Sequence, residues 1–136
     1  MLTGGCLCGA IRYTVSVPLR EVYFCHCAQC RRAQGSAFAA SVPTPRAAFK
    51  LLQGEAQLKS YRSSPHKRRW FCGECGAPLY SEVDEAPLLR LRAGSLDDSS
   101  PLTPVAHIFA EARPAWDAIL DQLPRYPGRE PGREGR

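Results

Sequence analysis

Seven cysteines fall into three groups: Cys6-Leu7-Cys8, Cys25-His26-Cys27-Ala28-Gln29-Cys30 and Cys72-Gly73-Glu74-Cys75. An odd number cannot all pair as disulfides. Four plus three is the count for one closed tetrahedral zinc site and one with an open position, where water or substrate can bind. Cys72-x-x-Cys75-Gly76 has the form of a zinc knuckle, in which two thiolates reach one ion across a tight turn. A redox pair is the alternative. Gly76 and Pro78, however, oppose the helix that a thioredoxin-like motif requires. Cys6-x-Cys8-Gly9 is its natural partner, and a bulge or turn at the flanking glycines is needed to bring those two sulfurs onto one ion. Joining the two pairs staples the N-terminal strand to a segment 64 residues later.

Cys25, Cys27 and Cys30 remain. Cys25 and Cys27 share one face of a strand end, and a helical or turn-like step carries Cys30 round to the same ion. His26 should point the opposite way, as a neighbour in the core rather than a ligand. Alternatives stay open: a site closed by His26, His107 or a carboxylate, or an empty site. An open tris-thiolate zinc would stabilise a bound thiol as its thiolate. Three electron-rich ligands damp Lewis acidity, which favours a bound thiolate over a strongly acidic bound water.

The elements that must position these groups are short. Ile11, Tyr13, Val15 and Val17 alternate with polar residues, the pattern of a half-buried strand. Comparable runs occur at 21–26, 36–42, 57–61, 69–71, 78–82 and 88–92, separated by Pro, Gly, Ser and Asp. The expectation is a mainly β fold, a zinc-stapled sandwich or complex of small antiparallel sheets. Two short helices are expected, one from Thr44-Pro45. The other is a C-terminal helix from Pro114 to Leu123, with Trp116/Leu120 and Ile119/Leu123 on one face. The chain should form one domain over residues 1–126, followed by a Pro/Gly/Arg/Glu tail over 127–136 with almost nothing to bury, expected to be disordered.

With 136 residues and a formal charge of +5, the chain has no run approaching a membrane span of about 20 apolar residues, and its first residues lack a secretory pattern. A cytoplasmic location is expected, where cysteines stay reduced. Two zinc ions and seven thiolates would bring the charge to about +2, which weakens any inference to nucleic acid. Lys59, Arg62, Lys67, Arg68 and Arg69 form a basic stretch without interleaved aromatics. It reads as a solvated loop, or as an anion-landing site close to Cys72.

The motifs Gly5-Cys6-x-Cys8-Gly9, Cys25-His26-Cys27-x-x-Cys30-Arg31, Gly35-Ser36-Ala37-Phe38, Phe71-Cys72-x-x-Cys75-Gly76-x-Pro78-Leu79 and Gly94-Ser95-Leu96-Asp97 resemble those of a known family. So does the closing stretch His107-Ile108-Phe109…Pro114-Ala115-Trp116 with Asp121-x-Leu123-Pro124. This is the glutathione-dependent formaldehyde-activating (GFA) family, also called the centromere protein V family. The likeness extends over about residues 4 to 126.

The resemblance implies a mainly β zinc fold shared with a guanine-nucleotide-exchange accessory protein, and two zinc ions per chain. Cys6, Cys8, Cys72 and Cys75 would hold a structural ion, and Cys25, Cys27 and Cys30 a catalytic one. It implies a carbon–sulfur lyase that joins glutathione to formaldehyde as S-hydroxymethylglutathione. The partners are then a small thiol and an aldehyde, with neither nucleic acid nor membrane, and the protein a monomer or homodimer. Arg31 and Arg32 are candidates for the thiol's carboxylates, and His107 for an acid–base role. The alternative is a non-catalytic zinc module that binds a thiol metabolite or a protein partner.

Overall fold

A computed structural model describes residues 1–133. Ten strands, one α-helix and three single 3-10 turns occur among them. The strands form two open sheets. β1 (Leu2–Gly5), β2 (Arg12–Val15) and β5 (Phe49–Gln53) make a three-stranded antiparallel sheet in the order β1-β2-β5. The second sheet has seven strands: β3 (Glu21–Cys25), β4 (Ala39–Pro45), β6 (Leu58–Ser64), β7 (Lys67–Cys72), β8 (Pro78–Val83), β9 (Leu88–Arg92) and β10 (Thr103–Ile108). Their order is β10-β3-β4-β9-β8-β7-β6, and only β10 against β3 is parallel.

The alternation read at Ile11, Tyr13 and Val15 is real: all three are buried while Arg12 and Thr14 lie between them partly exposed. They join Leu19, Val22, Val42, Leu79, Leu89, Leu91 and Leu96 in the main core. Tyr13 is fully buried, and its hydroxyl sits 2.6 Å from Ser95 Oγ. Burial pushes that phenol up to about 12. A smaller cluster of Cys25, Cys30, Ala39 and Ile108 lies at the far end of β3.

Neither expected helix forms. β4 runs on through Thr44 and Pro45, since both pair with β9, and only one 3-10 turn follows at Arg46–Ala48. Thr44 is buried, and its hydroxyl donates to Val42 O at 2.9 Å instead of capping a helix. Residues 114–123 are irregular, with Trp116 72% and Leu120 90% exposed. An isolated helix of this length is unstable without an apolar surface to cover, and here the polar residues Asp117 and Asp121 are the ones that dock.

The helix that does form, α1 (Ala28–Gln34), lies between the cysteine motif and Gly35. Gly35 takes φ 61°, and its N–H donates to Arg31 O, a left-handed stop that glycine adopts at little cost. In the tail, Glu130 is buried between Arg90 (2.9 Å) and Arg133 (2.7 Å). The described part of that tail, expected to be without fixed structure, is thus docked by ion pairs rather than by apolar burial. Residues 134–136 lie outside the described part.

Candidate metal centres

The four-cysteine group is built from two β-hairpin turns. Cys6 and Cys8 occupy the turn joining β1 to β2, while Cys72 ends β7 and Cys75 lies in the turn joining it to β8. Each turn closes on itself: Gly9 N–H donates to Cys6 O (3.3 Å) and Gly76 N–H to Cys72 O (2.8 Å). Gly9 at φ 82° and Gly76 at φ 78° provide the positive φ these turns need. One hairpin belongs to the three-stranded sheet and the other to the seven-stranded sheet. An ion here would therefore pin the two sheets together.

All four sulfurs lie within 4.8 Å of one another. Cys6 and Cys8 Sγ are 3.6 Å apart, and Cys8 and Cys72 Sγ 3.9 Å. The edge of a tetrahedron with Zn–S near 2.3 Å is about 3.8 Å, so the sulfurs fit such an ion. Backbone amides face the sulfurs, Ile11 N–H donating to Cys6 at 3.2 Å. Amide N–H groups of Ala77 and Cys8 hold the Cys75 thiol down to about 6. Burial raises the Cys6 thiol, but the Ile11 amide and neighbouring thiols outweigh it and the net shift is downward. Cys8, at the exposed end, is pushed up to about 11, its neighbouring thiols outweighing the Ala10 amide.

The second group gathers Cys25 at the end of β3, Cys27 at the N-cap of α1 and Cys30 in its first turn, again within 4.8 Å. Cys27 Sγ accepts from Cys30 N at 3.3 Å, so the helix start brings the third sulfur round. Thiols this close share protons: hydrogen bonds with Cys25 and Cys27 push Cys30 down, and hydrogen bonds with Cys27 and Cys30, together with burial, push Cys25 up. Buried cations surround the group. Arg69 Nη1 and Nη2 lie 3.7 and 3.8 Å from Cys30 Sγ. Arg92 is lowered to about 10 by burial, against the opposing pull of the cysteines. Burial likewise lowers Lys67 to about 8. Soft donors crowded beside cations are chemically suited to hold a metal as thiolates. Cys25 and Cys27 open onto a cavity of about 690 Å³ that Lys67 and Arg69 also line.

His26 and His107 stand apart from these sulfurs. Asp117 Oδ2 meets His26 Nδ1 at 2.9 Å, His26 Nε2 meets His107 Nδ1 at 2.8 Å, and His107 Nε2 meets Asp121 Oδ2 at 2.9 Å. Both rings are buried and every ring nitrogen is occupied. In the β3–β10 pairing Cys25 opposes Ile108 while Phe24 opposes His107. Period-two alternation then puts His107 on the face away from Cys25, where it lines a separate cavity with Phe24 and Phe38. Desolvation lowers His26, against the pull of Asp117. The four-residue chain fastens the irregular 114–121 segment to the strand that carries the cysteines.

Arg31 donates to the carbonyls of His26 (3.2 Å) and Ala112 (3.2 Å), and Arg32 is exposed on α1. Neither lines the cavity at Cys25 and Cys27. The basic stretch divides: Arg62 pairs with Asp84 at 3.0 Å and Arg68 donates to Ser60, while Lys67 and Arg69 reach the cavity. Arg129 and Arg133 line it too. A Pro/Gly-rich tail carries no local signal for that placement.

Fold and site together define a mainly β protein with two clustered cysteine groups, one of four and one of three, each able to hold a metal ion. The sequence model of glutathione-dependent formaldehyde-activating enzyme matches residues 1–112, and the chain belongs to that family. A Halomonas elongata protein provisionally named a glutathione-dependent formaldehyde-activating enzyme is 28% identical over 128 residues, covering 88% of this chain and 81% of that one. A Sordaria macrospora protein with the same provisional name is 23% identical over 77 residues, or 57% of this chain and 32% of that one. A crystal structure of a Rhodobacter sphaeroides protein shares the fold, with TM-score 0.59 and 24% identity over 70% of this chain and 87% of that one. No helix among the described residues is long and apolar enough to cross a membrane.

Proposed function

We propose that the protein is a zinc-dependent carbon–sulfur lyase acting on a thiol–aldehyde adduct such as S-hydroxymethylglutathione. The observation that carries this reading is the contrast between the two cysteine groups. Four sulfurs within 4.8 Å of one another between two hairpins match the count of a closed tetrahedral site, whereas the other group has three, of which Cys25 and Cys27 border a cavity of about 690 Å³. Cys6, Cys8, Cys72 and Cys75 would hold a structural zinc, and Cys25, Cys27 and Cys30 a second one. Bound there, zinc would supply a fourth position at which a small thiol is held as its thiolate.

The chain's own residues do the rest. Arg69 and Lys67 offset the negative charge that three or four sulfurs bring together, and the cavity wall holds the thiol's remaining atoms. The thiol gives up its proton to water on binding, and its sulfur then attacks the aldehyde carbon and forms the C–S bond. The C=O π pair moves to oxygen, which takes a proton from water; breakdown of the adduct is the reverse. His107 has both ring nitrogens engaged and faces away from this cavity, so its part is to hold the 114–121 segment.

The test combines metal analysis with kinetics. Protein purified without added metal should carry two zinc ions per chain and accelerate S-hydroxymethylglutathione formation from glutathione and formaldehyde. Cys27→Ser should lose the acceleration and one zinc while keeping the other and the fold. Wild-type protein with both ions bound and no acceleration would sink the lyase reading and leave a zinc-binding module.

A further inference from the structure

The family match ends at residue 112, yet the chain turns back on itself beyond it. His107 N–H donates to Pro124 O (2.9 Å), and Tyr126 N–H donates to His107 O (2.9 Å). Ala110 N–H donates to Tyr126 O (3.0 Å) and Phe109 N–H to Gly128 O (3.0 Å). Tyr126 packs against the cluster that contains Cys25 and Cys30. Past it, Glu130 is clamped between Arg90 of β9 and Arg133. Residues 126–133 thus form a strap across the mouth of the three-cysteine site.

The strap changes the charge of the cavity. Lys67 and Arg69 come from β7, and the strap adds Arg129 and Arg133 to the same wall. Four cations therefore share a cavity with Cys25 and Cys27. The acid in its lining is Asp84, which Arg62 engages at 3.0 Å. Arg69 faces Cys30, and Arg133 is bonded to Glu130. The Lys67 ammonium has no hydrogen bond or ion pair among the described residues, although burial disfavours its charge. A largely desolvated ammonium beside three further cations makes a cup suited to an anion that arrives with the ligand.

We infer that the strap is a specificity element: Arg129 and Arg133, acting with Lys67 and Arg69, engage carboxylates on the thiol held at the three-cysteine site and select anionic thiols over neutral ones. This rests on the thiol-binding reading above. The strap lies beyond the matched domain, so a relative with another tail would keep the cysteine chemistry and read a different thiol. The strap arginines contact the bound ligand itself. The Glu130 carboxylate holds Arg133 at the rim, and the Phe109 ring lies under Arg129 at 5.9 Å, before the ligand arrives, which reduces the ordering cost of binding.

The experiment compares three ligands on full-length wild type, Arg129→Gln/Arg133→Gln and Glu130→Gln. The ligands are glutathione, its diethyl ester (a thiol with both carboxylates masked) and S-methylglutathione (both carboxylates, no thiol). Thiol binding is read from the thiolate-to-metal absorption of cobalt-substituted protein, and S-methylglutathione binding by calorimetry on the zinc form. Each charge-assisted contact is expected to be worth about tenfold in affinity. Wild type should prefer glutathione to the ester, and the double variant should lose about tenfold or more for glutathione and S-methylglutathione with the ester unchanged. Glu130→Gln should weaken the same two ligands by a smaller factor.

Equal losses for all three ligands, or no loss for any, would overturn the strap's role in specificity. Wild type that binds S-methylglutathione through these arginines but forms no cobalt–thiolate band would uphold the strap's carboxylate contacts and overturn the thiol-activation reading. Wild type that binds none of the three would overturn both.

Discussion

Replacing Cys72 with serine should remove the ion proposed between the two hairpins, and the consequence should reach the whole fold. Cys72 is fully buried in the main core, its sulfur 3.9 Å from Cys8, and the hairpins it joins belong to different sheets. A structural zinc contributes on the order of 10–16 kcal/mol of apparent binding energy in small peptides, which matches or exceeds the ~5–15 kcal/mol of a typical domain. Losing only ~5 kcal/mol would lower the melting temperature by about 15–20 °C, at an unfolding entropy of ~2.1 cal/mol/K per residue over this length. The assay is a calorimetric melt with metal analysis on wild type, Cys72→Ser and Cys27→Ser. Cys72→Ser should melt at least about 15 °C lower or fail to fold, while Cys27→Ser should keep a cooperative transition. A Cys72→Ser protein with one zinc fewer and a melt within a degree or two of wild type would refute the argument. The sheets would then be held by apolar packing alone.

Asp117→Asn should weaken the hold on His26 and cost about 1–3 kcal/mol of stability, with faster amide exchange over residues 114–121 in hydrogen–deuterium measurements. Unchanged exchange there would mean that the Asp117–His26 contact does not anchor the segment. Asp97 is held down to about 2 by Arg12, with help from the Thr3 hydroxyl, so its contribution is present above its ordinary value of 3.8 and is lost as pH falls towards 2. The melting difference between wild type and Asp97→Asn should therefore shrink across that window. It should also shrink with added salt, because the pair is exposed. Leu79→Ala, at a side chain fully buried between the sheets, should cost about 2–5 kcal/mol. A loss below 1 kcal/mol would place the main core elsewhere.

Local chemistry was legible before the fold. The alternation at Ile11, Tyr13 and Val15 announces a strand because period two is a property of the backbone itself. β1, β5 and β10 went unread: Leu2–Gly5 and Phe49–Gln53 have no clean alternation, and Thr103–Ile108 carries Pro104 and a bulge. α1 was foreshadowed only as the step that had to bring Cys30 back to Cys25. The 114–123 segment misled because i,i+4 apolar pairs describe a helix only where a surface exists to receive them. The protein instead uses the two aspartates between those pairs.

By itself the sequence determined the division of the cysteines into four and three, and with it that each group could hold a metal ion, because ligand type and short spacing are local properties. Tertiary structure alone decided that the two pairs of the four-cysteine group sit on hairpins of different sheets. It also put both nitrogens of His107 to use in an Asp–His–His–Asp chain, and brought Arg129 and Arg133 to the mouth of the three-cysteine site. These are contacts between residues far apart in the chain, fixed by strand order and by which ion pairs survive burial. No short window of sequence encodes either.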